Sequence, residues 1–169
     1  HALQAGRQVQ VITLPGRLPA TPLAQQAAAE FAAAGGSSIE FDGQLPVADV
    51  GVDALFGLGL DRAPAGMAQA LIEALNASPA PVLALDVPSG VDADQGGVPG
   101  VAVRAAVTLQ FIVCHRGLYT GDALDHVGQR RLAPLDLPEA AREGIAASAE
   151  RWVGDRLRAL LPPRRANTH

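Results

Sequence analysis

The sequence predicts an α/β protein built on a mostly parallel sheet. Three observations point there. Short apolar, β-capable runs alternate with helix-like segments in the order β-loop-α-β, unlike a stack of hairpins. The run Val82–Val87 is apolar almost throughout, as a strand covered by helices on both faces requires. Two runs, VDALFGLGLDR at Asp53 and VLALDVPSGVDADQGG at Asp86, each reach an aspartate and open into a glycine-containing turn.

The elements follow in order. HALQAG reads as the last turn of a helix that stops at Gly6, which suggests that a piece of the fold lies upstream and that the domain is N-terminally incomplete here. Gln8–Leu14 alternates loosely and predicts a strand before the turn at Pro15 and Gly16. Thr21 followed by Pro22 offers an N-cap and first helical position, and the Ala-rich run Leu23–Ala34 stops at Gly35 and Gly36. Ile39–Phe41 predicts a short strand. Val47–Phe56 predicts a longer one ended by Gly57 and Gly59, and Met67–Leu75 has apolar positions at helical spacing. Val82–Val87 and Ala105–Val113 continue the strand series, with Cys114–Gly128 as a loop over the sheet edge. Arg130–Leu137, which holds Pro134, suits an edge strand. The expectation is a sheet of about five strands or more with about three helices.

After residue 137 the pattern changes. Glu139–Glu150 predicts a short helix, and Trp152, Val153, Leu157, Leu160 and Leu161 fall roughly on one helical face before Pro162 and Pro163. Residues 138–169 therefore read as a helical segment and linker, set apart from the domain at 1–137.

The 169 residues have room for one ordinary domain, and 49% hydrophobic with only 4% aromatic residues means a core of Ala, Val and Leu. A net charge of −4, with no block of Arg interleaved with aromatics, argues against nucleic acid as a partner. The single cysteine, Cys114, cannot make an internal disulfide and suits a buried, small apolar position in a reducing compartment. No apolar stretch of about 18 residues is present to cross a bilayer, and no signal peptide is visible. These features predict a soluble cytoplasmic protein without a membrane partner.

If the runs at Asp53 and Asp86 are neighbouring parallel strands, about 4.8 Å apart, their carboxylates meet at the sheet edge where open α/β folds bind ligands. A carboxylate in an apolar strand is costly to desolvate without a partner, so a ligand or ion is the least costly general explanation; a capping role in neighbouring loops is the alternative. Ser89, three residues beyond Asp86, would form with the Asp53 carboxylate and backbone carbonyls an all-oxygen site suited to a hard cation, and no Cys or His cluster points to zinc. The loop Gly57-Leu58-Gly59-Leu60-Asp61-Arg62 can present N–H groups to an anion ahead of a helix N-terminus, with Arg62 on a phosphate; a plain tight turn is the alternative. It is not the GxGxxG fingerprint, which disfavours an ordinary dinucleotide dehydrogenase. Asp92, Asp94 and Gln95 lack the spacing of a calcium loop and read as an exposed turn that helps order the Ser89 loop. His115, Arg116, Tyr119, Thr120 and Asp122 follow a strand end; they either line the same cleft or form a solvated loop.

The segments VDALFGLGLDRAPAG, PVLALDVPSGVDADQGG and LQFIVCHRGLYTGDALDHVG, in this order, resemble the N-terminal epimerase domain of the NAD(P)H-hydrate repair enzymes, the YjeF N-terminal domain family. The resemblance covers about residues 1–137 and implies a Rossmann-like three-layer α/β/α sandwich. It implies interconversion of the R and S forms of NADHX and NADPHX, hydrated forms of the nicotinamide cofactors. It also implies fusion, in a bifunctional protein, to an ADP- or ATP-dependent dehydratase domain that is absent from this sequence. By the same resemblance Asp53 and Ser89 hold a potassium ion, Gly57 through Ala63 wrap the substrate, and Asp86 is the acidic substrate-binding and catalytic residue. A homo-oligomer is compatible with this assignment. The family's Asn-Asn-Gly-Gly-Asp loop, which supplies further substrate and potassium contacts, does not occur in the sequence and is expected just before His1. The stretch given is then expected to be an interior fragment, weak or inactive alone. The rival reading is a nucleotide-binding or protein-interaction module that keeps the shape without the chemistry.

Overall fold

A computed structural model describes residues 1–60 and 62–152 together with 154, 157 and 160. The chain divides into two compact units, His1–Leu135 and Asp136–His169.

The first unit opens on one turn of helix. Gly6, at φ +73°, closes it: Arg7 N–H donates to Ala2 O and Gly6 N–H to Leu3 O, the paired bonds of a Schellman stop. Strand β1 (Gln10–Thr13) leads through Pro15 and Gly16 to helix α1 (Pro22–Ala33), whose N-cap Thr21 accepts from Ala24 N–H at 3.2 Å. Gly35 and Gly36 end α1 by the same two-bond stop. Strand β2 (Ser37–Glu40) then pairs parallel with β1.

The second sheet carries the site. Strand β3 (Gly51–Asp53), helix α2 (Met67–Ala77), β4 (Val82–Leu85), β5 (Val107–Phe111) and β6 (Gln129–Ala133) follow in order. The four strands lie side by side as β3-β4-β5-β6, every pair parallel. Helix α2 buries Ala68, Leu71 and Ile72. Ile72 packs with Val82 and Val103, and Leu55, Leu75 and Val101 complete that cluster. Asn76 ties α2 to the chain beyond β4: its Nδ2 donates to Ala102 O at 2.8 Å and its Oδ1 accepts from Arg104 N–H at 2.7 Å. A second cluster, Val87, Val91, Ala102, Leu118, Ala123 and Val127, fills the space between the Ser89 loop and the β5–β6 connection. Both clusters are Val, Leu, Ile and Ala, as a chain poor in aromatics predicts.

The fold class holds and several elements differ from expectation. The strands form two separate sheets, of two and four strands, where one continuous sheet was expected. The strand expected over Val47–Phe56 shrinks to Gly51–Asp53, because β3 is an edge strand paired only with Val82–Ala84 and Val47 and Val50 project into solvent. The β5–β6 crossover, read as a loop over Cys114–Gly128, has no α-helix among the described residues, as expected, and carries two 3-10 turns, Arg116–Tyr119 and Gly121–Asp125.

In the second unit, the helix expected over Glu139–Glu150 is a single 3-10 turn, Glu139–Arg142. Gly144, at φ +80°, follows it, and residues 143–150 are exposed; a short helix with no face to bury is marginal in water. Of the apolar positions expected over Trp152–Leu161, Val153 and Leu161 lie outside the described residues. No helix among the described residues is long and apolar enough to cross a membrane.

Candidate functional site

Asp53 and Asp86 do sit on neighbouring parallel strands. Asp53 pairs in register with Ala84, two residues before Asp86, which sets their Cα atoms about 8 Å apart from ordinary strand spacings. They share an edge of the sheet, and their side chains serve different partners.

Asp53 turns inward. It is buried, at 4% exposure, and Ser89 beside it is at 1%. Asp53 Oδ1 accepts from Ser89 Oγ–H at 2.6 Å and from Leu55 N–H at 3.2 Å, and Oδ2 accepts from Ser89 N–H at 2.8 Å. Ser89 Oγ in turn accepts from Phe56 N–H at 2.8 Å and lies 3.2 Å from Phe56 O. With one hydroxyl proton to give, Ser89 gives it to the charged acceptor at the shorter distance. Burial pushes the Asp53 carboxyl above its ordinary value of 3.8, and the Ser89 hydroxyl, the Ser89 amide and the Leu55 amide pull it back. All three donors are neutral, so the negative charge is hydrogen-bonded without a positive partner among them. The oxygens of Asp53, Ser89 and Phe56 form an all-oxygen cluster of the kind that hard cations take. Among the described residues no group of three or more His, Cys, Asp or Glu side chains is placed to hold a metal.

Asp86 turns the other way. It follows β4 at φ +68°, and Val87 N–H donates to Leu85 O at 2.9 Å, a γ-turn centred on a left-handed residue. Aspartate tolerates this backbone better than most side chains do. Asp86 Oδ1 lies 2.9 Å from His115 Nε2 and 3.4 Å from Phe111 N. Oδ2 faces Gly57, where an added Cβ would stand 3.7 Å away.

Gly57 belongs to a cleft of about 480 Å³. Its walls are the loop Phe56–Leu60 with Arg62–Ala65, the first residues of α2 (Met67 and Ala68), and Leu14, Pro15 and Arg17 after β1. Gly57, Leu58, Gly59, Leu60, Arg62 and Ala63 are thus brought together; Asp61 lies outside the described residues. Gly59, at φ +89°, makes the bend. Leu14, Pro15 and Arg17 had no sequence signal, since only the fold brings the β1 turn opposite a loop some forty residues later.

The remaining sequence candidates separate. Asp92 Oδ1 accepts from Asp94 N–H at 2.8 Å and Gln95 N–H at 2.9 Å, a self-contained turn. Arg116 Nε donates to Asp94 O at 3.0 Å and Thr120 Oγ1 to Gln95 O at 3.2 Å, so they brace that turn. Asp122 is exposed at the start of the second 3-10 turn. Cys114, expected to be buried, is exposed: Ile112, at φ +66°, reverses the chain after β5 and swings it out.

A family model described as YjeF-related protein N-terminus matches residues 1–117. The chain belongs to this family. Among its relatives, the bifunctional NAD(P)H-hydrate repair enzyme Nnr of Vibrio cholerae is 37% identical over 156 residues, 92% of this chain and 31% of that protein. The enzyme of the same name from Escherichia coli is 39% identical over 121 residues, 72% of this chain and 23% of that protein. An NAD(P)H-hydrate epimerase of Limosilactobacillus fermentum is 44% identical over 82 residues, 48% of this chain and 39% of that protein. The chain thus spans less than a third of the two bifunctional relatives. Within the family match lie Asp53, the Gly57 loop, Asp86, Ser89 and His115.

Proposed function

We propose that this domain interconverts the R and S forms of NADHX and NADPHX, as the epimerase part of a bifunctional, cytoplasmic cofactor-repair protein whose ADP- or ATP-dependent dehydratase lies in another domain. The observation that carries the reading is the Asp86 carboxylate beside Gly57, a residue of the cleft wall, in a chain of the YjeF-related N-terminal family.

Epimerisation must break and re-form a C–O bond at a ring carbon bonded to nitrogen. Asp86, as the acid, gives its proton to the departing hydroxyl; the C–O bond breaks to release water, and the nitrogen lone pair closes a C=N bond. Water then adds to the opposite face, the electron pair returns to nitrogen, and the surplus proton returns to the Asp86 carboxylate directly or through solvent. Gly57 through Ala63 wrap the dinucleotide, with the loop amides, the first turn of α2 and Arg62 taking its phosphates. Asp53 and Ser89 would hold a potassium ion through their oxygens, and the ion would supply charge compensation for the buried Asp53 carboxylate.

The test is conversion of resolved R-NADHX to the S form, followed chromatographically with the full-length protein and Asp86→Asn. Asparagine tolerates the left-handed backbone and fills the same space. Wild type should equilibrate the two forms. D86N should lose turnover by about 100-fold or more, with binding little changed. Absence of conversion by wild type refutes the assignment and leaves a binding module; D86N turnover equal to wild type removes the acid-base role.

A further inference from the structure

Asp86 does not stand beside Gly57 unassisted. Its Oδ1 is held by His115 Nε2 at 2.9 Å, with side-chain exposures of only 11% for His115 and 21% for Asp86. The two residues are 29 positions apart and come from the ends of neighbouring strands, β4 and β5.

The chain is shaped to deliver this imidazole. After β5, Val113 N–H donates to Phe111 O at 2.6 Å around Ile112 at φ +66°. A β-branched residue there is a backbone outlier, and such strain persists only where the surroundings enforce it. They do so here. His115 N–H donates to Oε1 of Gln110 at 2.8 Å, and Gln110 is fully buried. Gln110 Nε2 reaches Tyr119 Oη at 3.3 Å, and the Arg130 guanidinium lies 4.6 Å from the Tyr119 ring centroid. Arg130 Nη1 also donates to Leu118 O at 2.7 Å. A buried glutamine, a tyrosine and an arginine from β6 thus brace the backbone of one histidine, whose ring nitrogen ends on Asp86.

We propose that His115 is the positioning residue for Asp86. Its Nε2–H donates to Oδ1, fixes the carboxylate rotamer, and thereby presents Oδ2 to the Gly57 side of the cleft. The proposal rests on the epimerase reading for its kinetic consequence, while the hydrogen bond itself does not.

The test uses the full-length protein with His115→Ala and His115→Gln. A glutamine amide places a donor where Nε2 stands without an ionisable ring. H115A should lower kcat for R-to-S conversion by about 100-fold, the cost of a misplaced reacting group, with KM within about twofold. H115Q should recover most of the loss, which a side chain needed only for packing does not predict. An H115A kcat equal to wild type, or H115Q as impaired as H115A, overturns the proposal. A substrate-free readout stands beside it: the 15N spectrum of the imidazole should show Nε2 protonated and its resonance displaced in D86N. Nε2 found unprotonated, or indifferent to D86N, overturns the proposal even if wild type proves to catalyse no epimerisation, an outcome that on its own refutes only the reaction.

Discussion

Replacing Ser89 by alanine removes one oxygen and breaks the site in two places. The hydroxyl donates to Asp53 Oδ1 at 2.6 Å and accepts from Phe56 N–H at 2.8 Å. The first bond is to a charged acceptor and contributes about 1.5–3 kcal/mol. The second leaves a partly buried amide without its acceptor, at about 1–3 kcal/mol. The expected loss of unfolding free energy at neutral pH is therefore about 2.5–6 kcal/mol, a large share of the stability of a single domain.

The loss should also depend on pH, and its sign follows from Asp53. Burial already raises this carboxyl above 3.8, and the Ser89 hydroxyl is the largest of the forces pulling it back. A carboxyl raised in the folded state favours folding most below its unfolded value; that contribution disappears as pH rises through the folded value. Deleting the hydroxyl raises the folded value further. The deficit of S89A relative to wild type should thus be smallest below 3.8 and grow through the window above it. Urea unfolding of both proteins across that range measures it. A deficit that is flat with pH, or below about 1 kcal/mol at neutrality, refutes the account of Asp53 as a buried charge supported by Ser89.

Other perturbations separate stability from function. Gly57→Val puts a branched side chain between the cleft and Asp86 Oδ2, where even a Cβ stands 3.7 Å away; conversion of R-NADHX should fall at least about tenfold, with the melting temperature within a few degrees of wild type. Gly90→Ala meets a left-handed φ of +100° and drives a Cβ into Val101 O and Ala102, so thermal unfolding should show a loss of about 3 kcal/mol or more. Asn76→Ala strips both bonds between α2 and residues 102–104 and should cost about 2–4 kcal/mol by chemical denaturation.

What the sequence made legible is what the local chain encodes. Asp86 after VLAL announces the end of β4, because an apolar run can stop only where polar backbone finds another partner; Gly57 after VDALF does not, since β3 already ends at Asp53. The stops at Gly6 and Gly35 follow from glycine's access to positive φ. The division of the strands into two sheets was not legible, since strand pairing is decided across the chain. Arg17 in the cleft wall escaped for the same reason, and so did the bond from His115, a residue the sequence placed near the same cleft, to Asp86: each pairing is a tertiary apposition that no spacing records. Cys114 went wrong through backbone alone. A lone Cys with no partner spacing reads as a small buried apolar residue, whereas a left-handed Ile112, a conformation that side-chain propensity argues against, turns the chain outward just before it.

That misreading bears on how the site works. Two adjacent parallel strands, β4 and β5, both end on γ-turns centred on non-glycine residues, Asp86 and Ile112. An extended continuation of β4 would send Asp86 along the alternation that buries Val82 and Ala84, where no His115 stands. The turn breaks that alternation and frees the carboxylate from the inward row. The matching turn at Ile112 brings the following segment back, so that His115 meets Asp86 from the neighbouring strand. Asp53, which ends β3 without such a turn, keeps its inward direction and becomes the buried charge under the Ser89 loop. The contrast between the two aspartates is therefore a contrast of backbone: neighbouring strands deliver one carboxylate to the interior and the other to His115 and Gly57, with a positive φ at the second.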